Sequence, residues 1–202
     1  MGATAPFTML TSEICSAYER GAYALEQNSR VKLVARQDVA DDGEHRPASA
    51  ALFATDAGSF LKDPSLSAEV FDPSTLLIKY SSRDDLMRIA RSLEGQLTAT
   101  IHGSEEELKS HRDLVAVLET KAGRLVFNGF PTGVEVGHAM VHGGPFPATS
   151  DGRSTSVGTR AALRFVRPVC YQDFADDFLP DELKDANPLK IWRMVDGEMT
   201  KN

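Results

Sequence analysis

The sequence predicts an α/β fold built on a parallel sheet with flanking helices, and three observations carry the prediction. Three short runs rich in strand-compatible residues, TLLIKY at 75–80, LTATI at 97–101 and RLVF at 124–127, are spaced through the middle of the chain. The segments between them repeat apolar residues at helical spacing: Leu86, Ile89, Ala90 and Leu93 in the first, Leu108, Val115 and Leu118 in the second. The links are short. Strand, helix, strand, helix, strand is the pattern of right-handed crossovers between parallel neighbours, and antiparallel pairing would not require the helices. The three strands are therefore expected in one sheet.

The elements follow in order. Thr11 or Ser12 caps an opening helix whose inward face carries Ile14, Ala17, Tyr18 and Ala22. Residues 31–35 read as a strand, 38–47 with Asp41-Asp42-Gly43 as a polar loop, and 50–54 as a second short strand. A helical turn is expected over 56–61, broken by Asp63-Pro64-Ser65. Ser82 caps the first crossover helix, with Asp85 in the place of a capping-box acid and Gly95 as the C-cap. Ser104 and Glu107 form the capping box of the second, Glu105 to Glu107 favour the positive end of its dipole, and Gly123 stops it.

Residues 128–150 differ in character. They hold Gly129, Gly133, Gly137, Gly143 and Gly144 with Pro131, Pro145 and Pro147. Glycine allows backbone to approach a ligand and proline fixes direction, and a long loop after a parallel strand lies where α/β proteins place their sites. The run RFVRPVCY, opening on Arg164 and closing on Tyr171, reads as an edge strand interrupted by Pro168 and suited to pairing with another chain. The tail to Asn202 is acidic, with a short helix expected over 181–185 and an extended segment after it. The division expected is a domain over 1–158 with its pocket loop at 128–150, then an oligomerisation strand and tail over 159–202.

Bulk properties exclude several classes. A length of 202 residues fits one large domain or one domain with an appendage. The formal net charge of −7, with no basic stripe, argues against nucleic acid and against an anionic membrane surface. No apolar run approaches the roughly 20 residues of a membrane helix. The start, Met1-Gly2-Ala3-Thr4-Ala5-Pro6, lacks a secretory pattern, and Cys15 and Cys170 share no metal-ligand spacing, so a cytoplasmic protein with reduced thiols is expected. His138 and His142 have the spacing of helical metal ligands, but the glycines around them argue against a helix and no third ligand is evident, so no metal is assigned. Ser-His-Asp chemistry lacks a nucleophile elbow.

Several motifs together resemble the aldehyde dehydrogenase family. Glu69-Val70-Phe71-Asp72-Pro73 is similar to its E-x-F-G-P motif, Gly123 to Asn128 (GRLVFN) to its G-x-V-x-x-N element, and His142-Gly143-Gly144-Pro145-Phe146 with Ser150 to its later double-glycine loop. NGFPTGVEVGHAMVHGGPFPATSD at 128–151, TSVGTRAALRFVRP at 155–168 and Asp185-Ala186-Asn187-Pro188-Leu189 resemble the 2,5-dioxovalerate (alpha-ketoglutarate semialdehyde) dehydrogenase subfamily. The resemblance covers nearly the whole chain, in the family's order, from beyond the catalytic cysteine onward.

It implies NADP, or NAD, as cofactor once a dinucleotide-binding domain is supplied, a small-molecule aldehyde as substrate, and a homo-oligomer assembled through residues 164–171. By resemblance Glu69 would accept hydrogen bonds from the nicotinamide ribose hydroxyls, since a carboxylate can take two from a vicinal diol. Phe71 would pack near the nicotinamide ring. Gly133, Val134, Glu135, His142 and Phe146 would line the substrate pocket. Asp72 departs from the family glycine: aspartate tolerates the backbone shape less well, and its charge would repel the cofactor's phosphates.

No catalytic residue is assigned. The family's nucleophilic cysteine and general-base glutamate precede the region matched, Cys15 stands in unlike surroundings, and no G-x-G-x-x-G follows a strand. The chain alone is expected to be inactive. The rival expectation is a non-enzymatic assembly module that docks through residues 164–171 by strand addition.

Overall fold

The computed structural model describes residues 8–38 and 49–202. The chain divides into two compact units, residues 1–161 and 162–202. Among the described residues no helix is long and apolar enough to cross a membrane. The polar loop read at 38–47 falls, but for Asp38, outside the described residues, as does the start at 1–6.

In the first unit, α1 (Ser12–Gln27) begins where Thr11 accepts a hydrogen bond from the backbone N–H of Ile14, and it buries Tyr18 and Ala22. Strand β1 (Lys32–Arg36) pairs antiparallel with β2 (Ala51–Asp56), which pairs parallel with β3 (Ser74–Lys79). Alternate residues of β2 point inward, and Phe53 is fully buried with Met9, Tyr18, Ala22 and Ala51. Helix α2 (Ala57–Lys62) is capped by Asp56. Asp63 then caps a 3-10 turn, Pro64–Ser67, and also accepts from Asn28 and Arg30, tying the end of α1 to this corner.

Helix α3 (Arg83–Ser92) starts on Ser82, whose hydroxyl accepts from Asp85 N–H. Strands β4 (Gln96–Ile101) and β5 (Ala122–Phe127) are parallel neighbours. Between them lie α4 (Glu105–Ser110), with both bonds of its capping box formed by Ser104 and Glu107, and α5 (Arg112–Glu119). Met87, Ala90, Leu114 and Leu118 form a core against Ala99, Ile101 and Leu125.

The α/β class with parallel strands and flanking helices holds, but the expected single sheet does not. Residues 74–79 belong to the β1-β2-β3 sheet, whereas β4 and β5 form a separate pair. Crossover spacing dictates that successive strands run parallel; it does not dictate that they share a ladder. Other expectations also need correcting. The second crossover is two helices, because His111 leaves helical geometry (φ −117°, ψ 34°) and serves as C-cap of α4 and N-cap of α5. Its Nδ1 lies 2.8 Å from the Glu107 carbonyl, which satisfies an acceptor the break leaves over. The rotation at this break buries Leu114 and leaves Leu108 and Val115 only half-buried. Leu93, not Gly95, is the C-cap of α3, and Gly123 lies inside β5 instead of ending a helix.

In the second unit, the expected strand at 164–171 is absent. Thr159–Phe165 is a 3-10 helix running into this unit, and residues 166–172 have no regular structure. Strand geometry is stabilised by a ladder, and no neighbour offers one here. No helix forms over 181–185; a turn stands there. The tail instead contains a hairpin, β6 (Arg193–Val195) with β7 (Glu198–Thr200), turned by Asp196 and Gly197, both at positive φ. Arg193 clamps it by donating to the carbonyls of Lys184, Asp185 and Asn202, and the Asn187 amide donates to those of Ile191 and Lys201.

Candidate functional site

The turn over 69–73 is built by its anchors. Val70 packs into the α1–β2 core, Ser74 hydroxyl donates to the Val70 carbonyl at 3.1 Å, and Ala51 N–H donates to the Pro73 carbonyl at 2.9 Å. With the even residue turned inward, Glu69 and Phe71 are left exposed, Phe71 at 66%. Both line a cavity of about 370 Å³ together with Leu25, Val70, Asp72, Ser74 and Leu76. The carboxylate and the ring predicted as a pair therefore do share one concave surface. Asp72 has φ +97°, the left-handed region foreseen from the glycine it replaces. Its charge also reaches the buried Tyr18: burial pushes that phenol's pKa up, Arg36 opposes the rise, and Asp72 adds to it. Tyr18 donates its hydroxyl proton to the Ser49 carbonyl.

The glycine-rich loop is mounted on β5. Asn128, at φ +53°, closes the strand with a two-sided bond: its Oδ1 accepts from Gly103 N–H at 2.9 Å and its Nδ2 donates to Gly103 C=O at 2.8 Å. Beyond it, Gly133 and Glu135 are exposed and Val134 is half-buried. Arg124 donates from its two terminal nitrogens to the carbonyls of Gly133 (2.8 Å) and Pro131 (3.1 Å). The chain then returns along the amino ends of β4 and β5. Gly143 and Gly144 are buried, and a Cβ on Gly123 would overlap the carbonyl of Gly143. Close backbone approach is thus why glycine stands at these positions.

His142 is half-buried and its backbone is held on both sides. Its N–H donates to the Thr155 hydroxyl at 2.8 Å, and its carbonyl accepts from Ser156 N–H and Oγ at 3.0 Å each. Its Nδ1, the Nε of Arg124 and the Oγ1 of Thr100 are buried without a hydrogen-bond partner. Phe146 points outward, 82% exposed.

The structure brings Glu69, Phe71 and Asp72 together, and it holds Pro131 and Gly133 through Arg124. The cavity at Glu69 includes none of the loop residues. A larger groove of about 420 Å³ lies between α4–α5 and β4–β5, lined by Leu108, Val115, Ala116, Leu125 and Phe127 among others. Its apolar walls hold no predicted site residue. Among the described residues no group of three or more His, Cys, Asp or Glu could hold a metal ion; His138 Nδ1 lies 2.7 Å from the Thr159 hydroxyl. Cys15 Sγ is 3.9 Å from Glu19 Oε1 on α1. Sequence reasoning assigned no role to Arg124 or to the buried Thr155; a lone arginine inside an apolar strand was the available signal for the first.

No family model matches the sequence. Alpha-ketoglutaric semialdehyde dehydrogenase 2 of Azospirillum brasilense is 47% identical over 190 residues, 94% of this chain and 36% of that protein. Alpha-ketoglutaric semialdehyde dehydrogenase of Acinetobacter baylyi is 46% identical over 198 residues, 98% of this chain and 37% of that protein. The chain thus spans little more than a third of the length of the curated relatives it matches. Among solved structures, the Delta-pyrroline-5-carboxylate dehydrogenase of Mycobacterium tuberculosis bound with NAD superposes with a TM-score of 0.61 at 14% identity, over 86% of this chain and 31% of that one. A betaine aldehyde dehydrogenase double mutant of Staphylococcus aureus in complex with NAD+ gives 0.59 at 13% identity, over 83% and 34%. At such identities the likeness establishes the fold.

Proposed function

Because this chain is an aldehyde dehydrogenase homologue, similar over nearly its whole length to proteins named alpha-ketoglutaric semialdehyde dehydrogenase, we propose that it forms the ribose-steadying and pocket-shaping part of an enzyme that oxidises such a semialdehyde to its acid. The observation that carries this reading is the shared cavity of Glu69 and Phe71 at the head of β3. A nicotinamide dinucleotide, NADP or NAD, supplies the hydride acceptor when bound. The exposed Glu69 carboxylate has lone pairs for two ribose hydroxyls, and the exposed Phe71 ring offers a flat apolar wall beside them. Both are unburdened by other partners in the cavity, so the residues present fit the ribose end of the cofactor.

Gly133, Val134, Glu135, His142 and Phe146 shape the aldehyde pocket in this reading. The attacking thiolate and the base that activates water come from polypeptide outside this chain, and the enzyme works in the cytoplasm, where thiols stay reduced. The test is aldehyde-dependent NAD(P)H formation. The purified 202-residue chain should give none. A hybrid joining it to the preceding two-thirds of the Azospirillum relative should turn over, and Glu69→Gln in that hybrid should raise the KM for cofactor. Turnover by the chain alone, or a Glu69→Gln hybrid indistinguishable from its parent, would overturn the assignment.

A second reading rests on residues 164–171. Phe165 is 87% exposed and Val166 64%, with no partner strand beside them. Such a segment suits pairing with another chain, so this stretch is the proposed assembly element of a homo-oligomer. Sedimentation of the chain with Phe165→Asp and Val166→Lys would remove self-association if this is so.

A further inference from the structure

Resting on the function just proposed, we infer that Arg124 is the positioning residue of the aldehyde-pocket loop, which it holds in shape through the carbonyls of Pro131 and Gly133. Arg124 is the third residue of β5, opposite Thr98. Its two terminal nitrogens hold the carbonyls of Pro131 and Gly133. Across residues 129–136 these are the hydrogen bonds that reach the backbone among the described residues; the other tether is the contact of the Phe130 ring with His102, 5.4 Å between centroids. Most of the segment is exposed, Val136 at 79%, so packing contributes little to its shape. The path of the loop past Gly133 and into Glu135 is consequently set by one planar fork.

Only arginine does this well. A guanidinium presents parallel N–H groups at a spacing that spans two carbonyls, whereas an ammonium is a point donor on a flexible stem. Both acceptors are backbone carbonyls of the loop, so the fork acts on the loop's path. The Arg124 Nε–H is buried and unpartnered. Thr100 Oγ1, also unpartnered, belongs to the same face of the β4–β5 pair, since Thr98 registers with Arg124 and Thr100 with Val126.

Two measurements test this. In the 202-residue chain, cleavage after Glu135 by a glutamate-specific protease reads loop order directly. Arg124→Met should accelerate it about 10-fold, the equivalent of one charge-assisted hydrogen bond, and Arg124→Lys should fall between. Equal cleavage in all three proteins overturns the positioning role, with the thermal midpoint of each confirming that it is folded. In the hybrid enzyme, Arg124→Met should raise the KM for the semialdehyde about 10-fold with kcat changed little. An unchanged KM would sink the role in the pocket. A hybrid with native Arg124 that oxidises no aldehyde defeats the proposed function, while the protease measurement still decides whether Arg124 holds the loop.

Discussion

Asp72 offers the sharpest physical test, because sequence and structure point to the same strain. An aspartate at φ +97° occupies a region that costs an L-residue about 1–2 kcal/mol. Glycine removes that cost but loses more chain entropy on folding, about 0.5–1 kcal/mol. The balance predicts that Asp72→Gly stabilises the chain by roughly 0.5–1 kcal/mol. For a chain of this size that is a rise in Tm of about 1–4 °C. Asp72→Val, with a β-branched side chain, should instead destabilise by about 1–2 kcal/mol. Asp72→Asn keeps the conformation and removes the charge, so it should leave Tm close to the parent. Because Asp72 helps raise the Tyr18 pKa, although burial is the larger cause, the Asn and Gly variants should both lower the pH at which Tyr18 ionises. Calorimetry of the purified variants reads the first set and ultraviolet titration the second. If Asp72→Gly melts below the parent, or Asp72→Val melts with it, the backbone at 72 is not strained and the reasoning fails.

Other outcomes follow from the same structure. Gly123→Ala places a Cβ against the Gly143 carbonyl and should cost about 1–3 kcal/mol or more, whereas Gly133→Ala meets open space and should stay within about 0.5 kcal/mol; urea midpoints compare them. Asn128→Ala removes both bonds to Gly103 and should cost about 1–3 kcal/mol in the same assay, with Asn128→Asp, which keeps the acceptor, between it and the parent. The Glu107 pKa is held below the usual carboxylate range by the Ser104 backbone N–H first and then the Ser104 hydroxyl. A depressed folded-state pKa gives stability that is present above the unfolded value and lost as pH falls through the folded one. Ser104→Ala should therefore flatten the fall of Tm on acidification below the ordinary carboxylate range; an unchanged slope would contradict the capping box.

The elements of the first unit were legible because each is set by neighbours in sequence. Thr11, Ser82 and Ser104 cap their helices where a side-chain oxygen meets an orphan N–H two or three residues on. The break at His111 was not legible, since Leu108, Val115 and Leu118 fit one helical face and nothing in composition marks a change of phase there. Sheet membership of residues 75–80 and 97–101 depends on contacts between distant segments, which periodicity does not encode. The hairpin over 193–200 was legible and overlooked: Asp196-Gly197 is a two-residue turn signal between short apolar runs. At the site, the pairing of Glu69 with Phe71 followed from alternation in an extended segment. Arg124 could not be assigned from spacing, because its partners are carbonyls, and backbone carbonyls leave no mark in a sequence.

The division into two sheets changes what holds the candidate site in shape. The turn over 69–73 is fastened to β2 and β3, and the pocket loop to β4 and β5. Among the described residues no ladder joins these sheets, so the relation between the 69–73 turn and the loop passes through packing. Helix α3 is the element placed to carry it. Ile89 sits in the cluster of Ala57, Phe60 and Leu66 beside β3, while Met87 and Ala90 sit in the cluster of Leu114 and Leu118 beside β4 and β5. At its amino end Arg83 reaches the Ser110 carbonyl and the Asp113 carboxylate, fixing α3 to the break between α4 and α5. Because a packed interior transmits displacement without absorbing it, a change in volume at Ile89 or Ala90 must move one half of the site against the other. A change on the outer face of α3, at Arg88 or Arg91, need move neither.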